Sequence, residues 1–191
     1  MKTIYRLCMV VLCLFVFTAC KTDGKESTTK STKTTTQKDK SGQAFIKDEG
    51  GTPNALQLAV QSKDHTTLVA AVQAADVENA LVNVGPLTVF APNNDAFAKI
   101  NEATLNDLLK PENKGKLAFI LTHHVAPANY PVDMLKKNAE KGRKLYMASG
   151  KYLEITEKDG GLFIDGVKIL GTVNVSNGWV HVTESVILPR D

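Results

Sequence analysis

Two of the chain's four histidines stand side by side in LTHHVAP, as His123 and His124, and a third, His181, follows Trp179 in GWVHV. Imidazoles ligate metals, shuttle protons and hydrogen-bond, so each of these chemistries is open at first sight. Metal pairs call for i, i+2 on a strand or i, i+4 on a helix, and neither spacing occurs among the histidines. If the stretch is extended, His123 and His124 leave opposite faces of the strand, because successive Cβ atoms alternate. By the same alternation Trp179 and His181 share one face while Val180 and Val182 share the other. An indole beside an imidazole could receive a sugar ring or a flat ligand, or simply pack under a loop. A hydrolase would need two carboxylates roughly 5 to 10 Å apart, or a nucleophile with its base. The candidate acids Asp95, Glu154, Glu157, Asp165 and Glu184 fall in no catalytic motif, so bond-breaking is not expected. Haem could use His123, His124, Tyr130 or Met134 as axial or pocket residues, but no haem-attachment motif is present.

These side chains need a scaffold, and 191 residues at 43% apolar and 23% charged suffice for one ordinary domain. The net charge of +3 is small and gathers into no basic stripe, so nucleic acid is set aside as a partner. At the N-terminus Lys2 and Arg6 precede an uncharged run from Leu7 to Ala19, shorter than the roughly 20 residues a spanning helix needs. Residues 1–19 therefore read as an export signal. Phe17-Thr18-Ala19-Cys20 resembles the lipobox of bacterial lipoproteins, with Phe17 where Leu is commonest, and makes Cys20 the expected site of diacylglyceryl and acyl (palmitate) attachment. Cys8 and Cys13 lie within the removable segment, which leaves no cysteine after Cys20 and excludes thiolate metal sites and cysteine nucleophiles from the mature domain. Two or more acyl chains make membrane attachment stable where one is marginal. Lys21, rather than an acidic residue, favours the outer membrane of a bacterial envelope, on its periplasmic or its surface face.

From Lys21 to Gln43 no large apolar residue occurs, so nothing offsets the entropy of ordering, and residues 20–53 read as a disordered Ser/Thr/Lys-rich tether. The Lys21–Gln43 stretch would span roughly 25 to 30 Å as a flexible coil. Structure is expected from Asn54 to Asp191. NALQLAVQS and DHTTLVAAVQAAD carry helical spacing, with Asp64 a plausible cap, and VENALVN adds a turn before Gly85-Pro86. LTVFAP is a buried strand, apolar on both faces and in need of cover on both. Helical patterns return in NNDAFAKI and ATLNDLLKP, and KLAFILTHHVAPA passes from helix into an extended stretch. Beyond Gly142 strand signals alternate with turns at Ser149-Gly150, Asp159-Gly160-Gly161, Asp165-Gly166 and Asn177-Gly178. A helical first half and a strand-rich second half predict an α+β fold.

Three segments run in order through this domain: TLVAAVQAADVENALVNVGPLTVFAPNNDAF (Thr67–Phe97), ILTHHVAP, and VNVSNGWVHVTESVILP. Together they resemble the fasciclin (FAS1) domain. The first approaches its Thr-Val-Phe-Ala-Pro-x-Asn-x-Ala-Phe signature, the second its Leu-x-Tyr-His-Val, and the third its closing Asn-Gly-x-x-His-Val and Leu-Pro. The resemblance implies a wedge of two small β-sheets with the N-terminal helices packed on it, and adhesion or matrix binding rather than catalysis. It places Asp95, His124, Asn177, Gly178 and His181 in the family's structural motif, with Asp95 expected to cap a helix and His124 to hydrogen-bond backbone and fix the loop into Pro127. His123 replaces the family's tyrosine and Thr172-Val173 its Asp-Ile, so the integrin recognition linked to the Tyr-His pair in animal members is not expected. Candidate partner contacts are His123, His124, Tyr130, Trp179 and His181. The expected function is non-covalent recognition of a surface glycan or envelope protein by a lipid-anchored module; the alternative is a lipoprotein carrying a small ligand such as haem.

Overall fold

The computed structural model describes residues 51–82 and 85–190. The signal segment 1–19, Cys20 and all but the last three residues of the tether lie outside the described residues.

Helix α1 (Ala55–Gln61) opens on a reciprocal cap: Asn54 Oδ1 accepts the Gln57 N–H, and the Asn54 N–H donates to Gln57 Oε1, each at 2.9 Å. A single 3-10 turn at Lys63–His65, capped by Ser62 rather than by Asp64, leads into α2 (Thr66–Ala75). The orphan donors at the start of α2 are met from elsewhere in the chain, since Asn94 Oδ1 accepts the Thr67 N–H at 3.1 Å and the Thr66 hydroxyl at 3.2 Å. After α3 (Glu78–Val82) comes β1 (Leu87–Pro92), buried at all six positions. Its pleat sends Leu87, Val89 and Ala91 into a core with Leu56, Leu68, Val72, Leu117 and Leu121. Phe90 goes to a second core with Leu135, Leu145, Met147, Leu153, Ile155, Ile164 and Ile187. The strand is covered on both faces, as its composition requires.

Helices α4 (Asn94–Ala98) and α5 (Glu102–Leu108) are each capped by the asparagine before them, Asn93 and Asn101. Asp95 is therefore not the cap expected of it. It lies inside the first turn of α4, exposed, and Asn93 Oδ1 accepts the Ala96 N–H at 2.8 Å instead. Helix α6 (Lys114–Thr122) runs into the short β2 (Val125–Ala126), and α7 (Val132–Glu140) precedes β3 (Lys144–Tyr146), β4 (Tyr152–Lys158), β5 (Gly161–Ile164), β6 (Val167–Val175) and β7 (Gly178–Thr183).

Among the described residues seven strands form the order β2-β1-β7-β6-β5-β4-β3. β1 and β7 are parallel from Leu87↔Gly178 to Pro92↔Thr183, and the other neighbours are antiparallel. β6 belongs to both ends: Val167 and Lys168 pair with β5, the remainder pairs with β7, and the register slips by one residue at Leu170. The fold is α+β, helices then strands, and the two cores lie on the two faces of β1.

Candidate functional site

The extended reading of His123 and His124 does not hold. Helix α6 continues to Thr122, whose hydroxyl donates to Ala118 O at 2.8 Å, and His123 caps the helix with helical backbone angles. The two rings depart from a helix end rather than from a strand, and both are about 3% exposed. His124 Nδ1 lies 2.7 Å from Ile120 O, which can only accept, so Nδ1 carries the proton and Nε2 accepts the Ile187 N–H at 2.9 Å. Burial disfavours the charged ring and holds its pKa down to about 4; the bond to Ile120 O opposes this and neighbouring His123 adds to it. His123 stacks on Phe119 with centroids 6.1 Å apart and bonds Ser149 Oγ through Nδ1 at 2.9 Å; burial lowers its pKa also.

His181 is fully buried and stacked on Phe90, with centroids 5.4 Å apart, rather than beside Trp179 on the surface. Its Nε2–H donates to Tyr130 O at 2.8 Å, and its Nδ1 accepts the Thr172 hydroxyl at 2.8 Å. Thr172 stands where the resemblance puts an acid, and its side chain serves this histidine. Burial lowers the His181 pKa against the pull of the Tyr130 carbonyl. Thr88, which the sequence reading passed over, holds the same loop from the next strand: its hydroxyl donates to Ala128 O at 2.7 Å and accepts the Tyr130 N–H at 3.0 Å. A threonine between Leu87 and Val89 in a strand buried on both faces was the available signal.

As partner contacts, then, His123, His124 and His181 offer no surface, because all three rings are buried. For haem, both nitrogens of His124 are already bonded, so this ring could ligate iron only by giving up its bond to Ile120 O or to the Ile187 N–H. Of the candidate acids, Glu154 and Asp165 are neighbours across β4 and β5, where the Asp165 N–H donates to Glu154 O at 2.7 Å. Glu154 and Glu157 are on β4, Asp95 is on α4, and Asp165 pairs with Arg190 at 3.2 Å. Among the described residues no group of three or more His, Cys, Asp or Glu is placed to hold a metal ion, and no helix is long and apolar enough to cross a membrane.

Asn177 and Gly178 do more than turn the chain. Asn177 is buried; its Oδ1 accepts the Ala55 N–H at 3.0 Å, its Nδ2 donates to Leu81 O at 2.9 Å, and its carbonyl accepts the Leu87 N–H at 2.9 Å. One residue thus joins α1, α3 and β1. Gly178 has φ +143°, and a Cβ there would lie 1.8 Å from Leu87 O, so no other residue lets β1 approach β7 this closely.

The site that does face solvent lies beside this turn. Trp179, half-buried, lines an open cleft of about 560 Å³ with Pro86, Asn129, Asn174, Ser176 and Asn177. Asn129, Asn174 and Ser176 are exposed, and no lining side chain is charged. Sequence alternation singled out Trp179, but only the fold brings Asn129, some fifty residues upstream, to it.

This α+β architecture with internally bonded histidines defines a class, and comparison gives it its family. The Fasciclin domain family matches residues 63–189, and the chain belongs to it. Protein sll1483 of Synechocystis sp. is 40% identical over 135 residues, covering 70% of this chain and 72% of that one. Transforming growth factor-beta-induced protein ig-h3 of Sus scrofa is 31% identical over 140 residues, 71% of this chain and 20% of that protein. The solved FAS1 domain pair from the insect cell adhesion molecule fasciclin I superposes with a TM-score of 0.65 at 18% identity, over 72% of this chain and 51% of that one. That likeness establishes the fold.

Proposed function

We propose that the chain is a recognition module of the bacterial cell envelope, lipid-anchored at Cys20, that binds a surface glycan in the Trp179 cleft without breaking bonds. The observation that carries this reading is the composition of the cleft: one half-exposed indole flanked by Asn129, Asn174 and Ser176, with no charge among its walls. An aromatic face packs on the apolar face of a sugar ring, and amides and a hydroxyl supply the donors and acceptors that sugar hydroxyls need. Fasciclin I, which shares the fold, is a cell adhesion molecule, and this agrees in kind. The Ser/Thr/Lys-rich segment after Cys20 would act as the spacer between lipid and domain, on the outer membrane.

The test is a glycan array probed with the full chain in detergent, beside Trp179→Ala. Binding of a neutral glycan that Trp179→Ala abolishes supports the reading. Binding retained in Trp179→Ala removes the cleft, and capture of a protein alone from isolated envelopes removes the glycan. Mass spectrometry of the mature N-terminus checks the anchor: an unmodified Cys20 would end that part.

A further inference from the structure

On the opposite face of β7 from Trp179, helices α1 and α2 and the sheet border a cavity of about 130 Å³. Its walls are mainly aliphatic, among them Leu58 and Ala59 of α1, Leu68 of α2, and Val180 and Val182 of β7. The two polar side chains in the lining, Ser62 and His65, are hydrogen-bonded to each other, Ser62 Oγ to His65 Nδ1 at 2.8 Å. Val173 of β6 also lines it and is 41% exposed, so the cavity is reachable from solvent. An apolar cavity of about 150 Å³ takes up benzene, so this one has room for about one aromatic ring. The chain carries such a ring close by. Between Cys20 and Pro53 the only large apolar residues are Phe45 and Ile46, in GQAFIKDEGG. The stretch that follows them meets the domain on the side of the cavity: the Ser176 N–H, just past the end of β6, donates to Pro53 O at 3.0 Å. From Ser176 back to Val173 along β6 is about 10 Å at the rise of a strand. The chain from Phe45 to Pro53 reaches at most about 28 Å, which covers that distance with slack. Gly50-Gly51 lets the backbone take up the slack by turning.

We propose that the side chain of Phe45 inserts into this cavity and fastens the segment before α1 to the face made by α1, β6 and β7. Removing the ring from water drives the insertion. Lys47, Asp48 and Glu49 stay in solvent, because an aliphatic wall offers a charge no partner. The free spacer after Cys20 then ends at Ala44 rather than at Pro53, which shortens the arm on which the domain is displayed. This docking is independent of glycan recognition at Trp179, because residues 179 and 180 of one strand face opposite ways.

The experiment follows the Leu and Val methyl NMR resonances of the full chain in detergent, beside Phe45→Ala and Lys47→Ala. Nuclear Overhauser contacts should join the Phe45 ring protons to methyls of Leu58, Val180 or Val182, and Phe45→Ala should shift those methyls. In urea unfolding Phe45→Ala should lower the folding equilibrium constant by on the order of tenfold, the worth of burying one ring less the entropy of ordering its segment. Lys47→Ala should change neither readout. Methyl positions and stability left unaltered by Phe45→Ala overturn the proposal. So do ring contacts that arise only between differently labelled chains in a mixture, since Phe45 would then enter a second copy. If Phe45→Ala fails to fold, the ring contacts in the unaltered chain decide, and their absence overturns the proposal.

Discussion

His124 and Ile187, far apart in sequence, are joined by one buried bond from the Ile187 N–H to His124 Nε2 at 2.9 Å. The bond holds the closing segment of the chain to the end of α6, and Ile187 itself is a member of the second core. His124→Phe preserves ring volume but strips Ile187 N–H of its acceptor. The expected loss is about 2 to 3 kcal/mol, most of it the cost of leaving a buried donor unsatisfied. Urea unfolding should show a lower midpoint with unchanged m.

The same ring sets a pH dependence. His124 titrates near 6.5 when unfolded and about 4 when folded, so between those values the unfolded chain binds the extra proton. Its contribution is fully present above pH 6.5 and is lost as pH falls toward 4, a change of about 3 kcal/mol. His123 and His181, with pKa values lowered by burial, act in the same direction. Thermal unfolding from pH 7.5 to 4.5 should show falling Tm, with a shallower fall in His124→Phe. A Tm flat across that window would contradict a neutral buried His124.

How much of this was legible in the sequence depends on how local the determining physics is. The all-buried strand at LTVFAP was readable because a short run carrying Thr88, Val89 and Phe90, bounded by Gly85-Pro86 and Pro92, favours a strand over a helix. Asn93, Asn94 and Asp95 show the reverse: any of the three could cap a helix, and backbone angles decide among them. Asn93 caps its own helix, Asn94 caps α2, and Asp95 is left to solvent. The direction of the paired histidines turned on whether α6 ended before or after Thr122, a difference of a few residues at a helix end. His181 carried the correct strand alternation, but its burial came from Phe90 on the neighbouring parallel strand, a pairing no local pattern encodes.

The Asn177-Gly178 turn should be among the least replaceable positions. Asn177→Ala leaves the Ala55 N–H and the Leu81 carbonyl without that side chain, and should cost about 2 to 4 kcal/mol. Gly178→Ala meets backbone at 1.8 Å, which no rotamer relieves, so β1 and β7 must separate. We expect a loss of at least about 3 kcal/mol. Gly142→Ala is the comparison, also at positive φ but with nothing near its Cβ; it should cost only the backbone strain, about 1 kcal/mol. Chemical denaturation of the three variants gives the ranking, and equal effects at Gly142 and Gly178 would refute the close-approach argument.

Thr88 and His181 grip one residue from two strands, the first accepting the Tyr130 N–H and the second donating to its carbonyl. Asn129, which lines the Trp179 cleft, is the residue before. Thr88→Val is isosteric and removes both bonds of the hydroxyl, so it should cost about 2 to 3 kcal/mol. Because both side chains act on Tyr130, Thr88→Val and His181→Phe should be non-additive by about 1 kcal/mol in a double-mutant cycle. The Tyr130 amide should exchange with solvent faster in Thr88→Val while amides of α6 keep their protection. If Asn129 is positioned for glycan by this grip, glycan affinity falls in Thr88→Val although no cleft side chain has changed. Unaltered affinity alongside faster Tyr130 exchange would separate the loop from the cleft and leave Trp179, Asn174 and Ser176 to bind alone.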